Sequence, residues 1–423
     1  MSKKTLINHD FNLRLKNIFI VSPHFPPSSL PPSQRTRLIV KHLDTFNWYP
    51  FIFTVSQEKR EELSDEWMVT LLGENFTSIE VGCFDPKITR KFGIGDLGLR
   101  MILFLIFPLI RKIKKEKPNL IYYPVPPWYI LLIAPLVKKM TGVKYVIDFI
   151  DPWVHKGTPI GLKARFSMAI ARFFEGYVTK HSSGIIAVSQ GIIDDIKKRH
   201  PYIDAIPTLA LPYGVEVSDF SSVKLLDIPD QNIITGRYIG AISEPMKPIA
   251  RTFIQAIKDS SIEIQIEFIG TSYASDQLAT PTLNEYITND VSNRITEYPN
   301  RKTYREALEL TMNSEFLILI GDTTKYYAAS KMMGLVASKK PFLAIVHEES
   351  FPGVFLNENH HPYLVTYNDD INFDRLEKEI ITTLKNLFLT YKQFTPLNTL
   401  SSEFQKFSAS GMTEKLTTFL NNL

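Results

Sequence analysis

Short apolar runs rich in β-branched and aromatic residues alternate along this 423-residue chain with longer stretches whose apolar positions recur every three or four residues. The runs at 18–21, 51–55, 120–123, 145–148 and 185–188 are bounded by turn formers, which predicts strands. Between them, helical periodicity covers 34–46, 96–116, 127–140, 161–181 and 190–200. A second series follows, with strands at 237–240, 264–269, 316–320 and 342–346 and helices at 247–258, 302–313, 326–338 and 373–392. Alternating strands and helices predict a parallel sheet with helices on both faces. Two such series predict an α/β fold of two doubly wound, Rossmann-like domains. The pattern lapses at 212–230, which divides the chain into a domain at 1–215, a second at 216–397, and a last helical stretch at 398–423.

Composition changes this picture little: 44% of residues are hydrophobic and 22% charged, as in an ordinary globular protein. The lone cysteine, Cys83, excludes an internal disulfide framework and a cysteine metal site and suits a reducing cytoplasm. Residues 1–5 lead into no long apolar run, so no signal peptide is expected. The net charge of +4 hides an asymmetry. Residues 1–215 hold 29 Lys and Arg against 18 Asp and Glu, whereas the remainder holds 19 against 26. A basic first half and an acidic second half predict different partners for each. No zinc-finger spacing or RNA-binding aromatic signature accompanies the basic half, so a nucleic-acid partner is not expected. The longest apolar run, 99–110, contains Pro108 and is too short to span a bilayer. The basic stretch 111–117 follows it, a pattern suited to peripheral contact with an anionic membrane or, more plainly, to a buried helix with a lysine-rich end.

In open α/β sheets ligands bind beyond the carboxyl ends of the strands, so the chemistry is sought there. After the first strand comes a proline-stiffened loop with Pro27 and Ser28, then Arg35 in the first turn of a helix, whose free N–H groups suit an anion. After the strand at 145–148, Asp151, Trp153 and His155 crowd together. Asp151 or His155 can serve as a base or orient a sugar hydroxyl, and Trp153 can stack on a sugar or pack in the core. In the second half, Gly240 lets backbone approach a phosphate and Lys247 can neutralise one. Gly270, Thr271, Ser272 and Tyr273 follow the next strand and offer groups to a base or ribose, or simply form a turn. The segment 321–331 is the richest: Asp322, Tyr327, Ser330 and Lys331 precede or open a helix, where a hydroxyl, a cation and free N–H groups suit a diphosphate. Glu349 closes the next strand.

The ordered stretches VSPHFPPS, QRTRLIVKHL, GIGDLGLR, KYVIDFIDPWV, SGIIAVSQGIIDDI, YIGA, EFIGTSYA and YYAASKMMGLVASKKPFLAIVHEES resemble the GT-B glycosyltransferases of retaining family 4, closest to a bacterial branch of unassigned substrate. The resemblance implies an acceptor-binding first domain, a nucleotide-sugar-binding second domain, and a final helix crossing back to the first. It places Lys331 and Ser330 at the donor diphosphate and Gly240 on the phosphate side. It places Asp151 and His155 near the transferred sugar, and Arg35 and the 26–29 loop facing the cleft. The chain departs from the family where many members carry two glutamates eight positions apart, the second on the donor ribose. Those places hold Tyr326 and Gly334, neither of which can accept two hydroxyls as a carboxylate does. Asp322, Glu348 or Glu349 would have to supply that contact.

Three functions follow. The first is transfer of a sugar from a nucleotide-diphosphate donor to a glycan, lipid-linked or small-molecule acceptor, with Lys331, Lys247 and a helix N-terminus stabilising the departing diphosphate without an obligatory metal or other cofactor. The second is epimerisation of a nucleotide sugar on the same scaffold. The third is binding of a nucleotide or partner without catalysis, motivated by the missing carboxylates.

Overall fold

The computed structural model describes residues 15–154, 161–226, 234–274, 278–325 and 330–423. The first sheet contains β1 (Lys16–Val21), β2 (Trp48–Val55), β3 (Thr77–Val81), β4 (Leu120–Val125), β5 (Lys144–Phe149), β6 (Gly184–Ala187) and β7 (Thr208–Ala210), in the order β3-β2-β1-β4-β5-β6-β7. The second contains β8 (Ile234–Ile239), β9 (Ile264–Ile269), β10 (Ile295–Tyr298), β11 (Phe316–Ile320), β12 (Phe342–His347) and β13 (Leu364–Tyr367), in the order β10-β9-β8-β11-β12-β13. Every pairing in both sheets is parallel. The central strands β4, β11 and β12 are buried at every position, as sheets covered on both faces require.

Four strands escape the hydrophobic pattern. β3 and β10 are edge or near-edge segments in which exposed and buried positions mix, β7 has only three half-buried residues, and β13 alternates. Helix ends also differ. The helix expected over 34–46 is Pro31–Val40 followed by a tight turn at Asp44–Phe46. The one expected over 127–140 is a 3-10 turn, Trp128–Ile133, running into Ala134–Thr141. The described part of the helix expected over 326–338 is Met332–Ser338.

The helix Leu97–Glu116 shows how sequence sets the packing. Asp96 caps it, accepting the Leu99 amide at 2.9 Å. Leu97, Met101, Leu105, Leu109 and Ile113 recur every four residues and are buried against the first sheet. The opposite side leaves Leu103 and Phe107 in solvent. This helix shares one face of the sheet with Ala134–Thr141 and Leu162–His181. No single helix among the described residues is long and apolar enough to cross a membrane.

The other face of the first sheet is closed from far away in sequence. The expected terminal helix is two pieces, Ser402–Gln405 and Ala409–Asn421. Ala409, Met412, Leu416 and Leu420 of the second piece complete a core with Ile18, Ile20, Leu38, Ile39 and Trp48, so the chain does cross back to the first sheet. Gly214 permits the crossing: a Cβ there would meet the Ser408 carbonyl oxygen at 2.8 Å. The two sheets are further tied by Arg37, whose guanidinium donates to Asp219 at 2.7 Å while Tyr304 donates to the same carboxylate at 2.9 Å.

Candidate active site

The carboxyl ends of the two sheets face one another across a cavity of about 870 Å3. From the first sheet, residues after β1, β5 and β6 reach its wall, among them Ser29, Asp151 and Ser189. From the second, Gly240 after β8, Gly270 and Tyr273 after β9, Arg301 after β10, and Asp322, Ser330 and Lys331 after β11 do so.

The corner around Gly240 is the most specific feature. Gly240 has a φ of 138° and Gly270 one of 76°, backbone conformations that side chains disfavour. A Cβ built on Gly240 would fall 1.5 Å from the Lys331 Nζ, so the glycine makes room for the ammonium itself. That Nζ lies 4.9 Å from the centre of the Tyr238 ring. Burial, and then the neighbouring Arg301 guanidinium, push the Lys331 pKa down to about 7. Among the described residues no carboxylate pairs with Lys331 or Arg301. Two cations on one wall, with no carboxylate paired to either among the described residues, make an arrangement that suits a polyanion. Ser330 beside them is exposed to the cavity.

Asp322 follows β11 on the same wall. Its carboxylate accepts from the amide and hydroxyl of Thr324 at 2.7 and 2.8 Å, and burial raises its pKa. Gly334 also lines the cavity, and a Cβ there would meet only Phe220, at 3.7 Å. The position that the resemblance aligns with a glutamate therefore lines the cavity with space for a Cβ. On the opposite wall Asp151 is exposed, and its backbone carbonyl accepts the Trp128 indole N–H at 3.3 Å.

Several expected residues sit elsewhere. Arg35 is fully buried and does not face the cavity: its guanidinium donates to both oxygens of Asp148, which also accepts from Tyr122. Trp153 is packed edge-on to Tyr129 in the first core and offers no face to a sugar. Ser28 is buried against the loop that carries Glu62, and the Pro27 carbonyl accepts the Asp65 amide, so Ser29 alone brings this loop to the cavity. Lys247 pairs with Glu244 at 2.8 Å and Glu349 with Lys325 at 2.8 Å, and neither Lys247 nor Glu349 is part of the cavity wall. Thr271 and Ser272 are buried braces; the Thr271 hydroxyl donates to Glu297 at 2.5 Å, and the Ser272 amide to the Pro299 carbonyl. His155 and Tyr327 lie outside the described residues. Arg301 was not singled out from the sequence, because the short strand before it leaves no periodic mark; the same strand-end argument applied to 295–298 would have found it.

Two parallel α/β sheets facing across a cleft, with the terminal helix crossing back, define the GT-B fold. The comparisons with known proteins agree. No family model matches the chain, and no curated protein matches its sequence. Solved structures do match over nearly its whole length. Sucrose-phosphate synthase (tll1590) from Thermosynechococcus elongatus superposes with a TM-score of 0.63 at 11% identity, covering 96% of this chain and 98% of that one. Anabaena Alr3699/HepE, solved with UDP and glucose, gives 0.61 at 13% identity over 97% and 100%. WaaG, a glycosyltransferase involved in lipopolysaccharide biosynthesis, gives 0.55 at 10% identity over 96% and 100%. At such identities the likeness establishes the fold.

Proposed function

We propose that this chain is a glycosyltransferase of the retaining family-4 type that moves a sugar from a nucleotide-diphosphate donor to a glycan, lipid-linked or small-molecule acceptor in surface polysaccharide or glycoconjugate synthesis. The observation that carries the reading is the Gly240 corner, where a desolvated, unpaired Lys331 and Arg301 await an anion. The crystallised neighbours with UDP or UDP-glucose support it by analogy of fold. In this reading the 216–397 region holds the donor. Lys331, Arg301 and the cavity-facing Ser330 take the diphosphate and stabilise the charge that develops as it departs. Asp151, across the cavity in the 1–215 region, orients or deprotonates the incoming hydroxyl.

The test is a thermal-shift titration with UDP, GDP, ADP, dTDP and CMP on wild-type protein and Lys331→Ala. A ligand that binds only the folded state adds about 2.7 kcal/mol at a hundredfold excess over its dissociation constant. One diphosphate should give a saturable shift, weakened in the variant by about 1–3 kcal/mol. Equal shifts in both proteins would remove Lys331 from the donor site. Gly334, which brings no carboxylate to the wall, favours a second reading in which nucleotide binds but no sugar moves. Donor consumed only with acceptor supports transfer, isomerised donor without acceptor supports epimerisation, and a shift without consumption supports the second reading.

The surface of the first domain suggests where the reaction happens. The helix Leu162–His181 exposes Leu162, Phe166 and Phe173 along one side, beside Lys163, Arg165 and Arg172. The helix Leu97–Glu116, on the same sheet face, exposes Leu103 and Phe107 and then Arg111, Lys114 and Lys115 of the 111–117 stretch. Apolar side chains flanked by cations suit peripheral attachment to an anionic membrane at the cytoplasmic face, each cation near the surface adding about 1 kcal/mol. Co-sedimentation with vesicles should require anionic lipid and fall with salt; indifference to lipid charge would exclude this attachment.

A further inference from the structure

A second hollow, of about 210 Å3, lies at the carboxyl ends of β1, β2 and β4, apart from the cavity already described. His24, Arg60, Glu62 and the Pro126–Pro127 pair form part of its wall. The rest comes from Glu61, which pairs with Arg100 at 3.4 Å, and from Gly95, Asp96, Leu97 and Arg100 of the GIGDLGLR segment, which the larger cavity does not use.

The segment is shaped to build this wall. Asp96 starts the 97–116 helix as its cap, and Gly98 lets the 128–133 turn close in, since a Cβ would lie 2.7 Å from the Ile130 amide. Arg100 donates to the carbonyls of Phe84 and Lys59 at 2.9 Å and so fixes the loop after β2. That loop presents Arg60, whose side chain is 5% exposed. One of its terminal nitrogens donates to the Phe25 carbonyl at 2.5 Å, while its Nε is buried without a hydrogen-bond partner. Arg60 pairs with Glu62 at 3.8 Å, Glu62 is bonded to the His24 ring at 2.8 Å, and Asp96 stands on the same wall.

Guanidinium donors alternating with carboxylate acceptors, without an excess of positive charge, do not suit a phosphate. Charges on the wall do not suit an apolar chain. They suit hydroxyl groups, each of which donates to a carboxylate and accepts from a guanidinium, and the two proline rings offer an apolar face for ring C–H groups. Drug-sized ligands occupy about 300–1,000 Å3, so this smaller hollow has room for a single ring. The two cavities are neighbours. The Ile150 amide donates to the Val125 carbonyl at 2.9 Å, and Trp128, next to Pro127, donates to the carbonyl of Asp151 on the wall of the larger cavity.

We propose that this hollow is a binding subsite for one neutral sugar ring of the acceptor, which makes the acceptor a glycan rather than a bare lipid or an aromatic alcohol. The proposal rests on the glycosyltransferase reading for its role, but not for its binding chemistry. Gly95→Leu tests it without removing any charge, because a Cβ there meets nothing within 4 Å. Asp96→Asn is a second variant that keeps a capping side chain.

Saturation-transfer NMR with methyl glucopyranosides and methyl galactopyranosides should give ring-proton signals with wild type. These should fall at least fivefold with Gly95→Leu and weaken with Asp96→Asn, while the thermal shift with the preferred diphosphate stays unchanged in both. No signal with wild type, or equal signals with Gly95→Leu, overturns the subsite. Absence of any diphosphate shift in wild type, with sugar signals that the variants lose, refutes the donor reading and leaves the sugar site standing.

Discussion

Arg35 and Lys331 both follow the carboxyl end of a parallel strand, the first fully buried and the second half-buried at the cavity wall, and they differ in their partners. Arg35 lies among Asp148, Tyr122 and Tyr213; burial works against its charge, but Asp148 and the tyrosines override it and hold its pKa above the ordinary value. Lys331 meets a glycine, the face of Tyr238 and another cation, and its pKa falls to about 7. Desolvation opposes the charge of both, so it does not by itself mark a site. The counter-charge separates them: the arginine is paired with Asp148, whereas the lysine has no paired carboxylate among the described residues and suits a negative ligand.

Three experiments would break or sharpen this contrast. The largest effect is expected from Asp148→Ala, which strands the Arg35 guanidinium. The cost should be about 3–5 kcal/mol of stability by chemical denaturation, while the diphosphate Kd of the remaining folded protein stays near wild type. A large loss of affinity at unchanged stability would mean that Arg35 serves the ligand after all. A smaller effect is expected from Gly334→Glu, which sets a carboxylate on the cavity wall where the nearest atom is 3.7 Å away. Calorimetry should show diphosphate binding tighter by about 1–2 kcal/mol through ribose hydroxyls, in the range of a charge-assisted hydrogen bond. Weaker binding would show that the new carboxylate pairs with Lys331 instead and turns that corner into a copy of the Arg35 cluster. The smallest and most diagnostic effect is on pH dependence. An anion raises the lysine pKa from about 7, so binding takes up a proton wherever the free amine is neutral and the bound one charged. Affinity should therefore decline as pH rises from 7 to 9, with net proton uptake in buffers of different ionisation enthalpy. An affinity flat over this range would place the ammonium off the diphosphate.

The pattern of apolar runs was enough for the central strands and the two-series layout, because strands buried on both faces are written as unbroken hydrophobic stretches. It could not show β10, whose four residues carry only two apolar side chains, and Arg301 was lost with it. It found the helix at 31–40 with displaced ends but not the role of its arginines. Arg35 and Arg37 fall in the expected first turn, where Arg35 was read as facing the cleft, yet both point inward, to carboxylates 113 and 182 positions away. Nothing local announces such partners. Lys331, Gly240, Gly270 and Asp322 were legible because strand ends can be located without knowing what faces them. Lys247 and Glu349 meet the same criterion but have a neighbouring charge to pair with, Glu244 and Lys325. Position after a strand nominates a residue, and its partners decide whether it is free to act.

The helix Ala409–Asn421 has a bearing on how the molecule is made. Met412, Leu416 and Leu420 supply one side of a core whose other members were translated more than 350 residues earlier, at Ile18, Ile20, Leu38 and Trp48. Domains commonly fold in order as they leave the ribosome. Here the first sheet emerges early but keeps an apolar face uncovered while the entire second sheet is synthesised. The nascent chain is therefore exposed to chaperones and to its neighbours for most of its translation, and its two halves reach their final form together rather than in sequence.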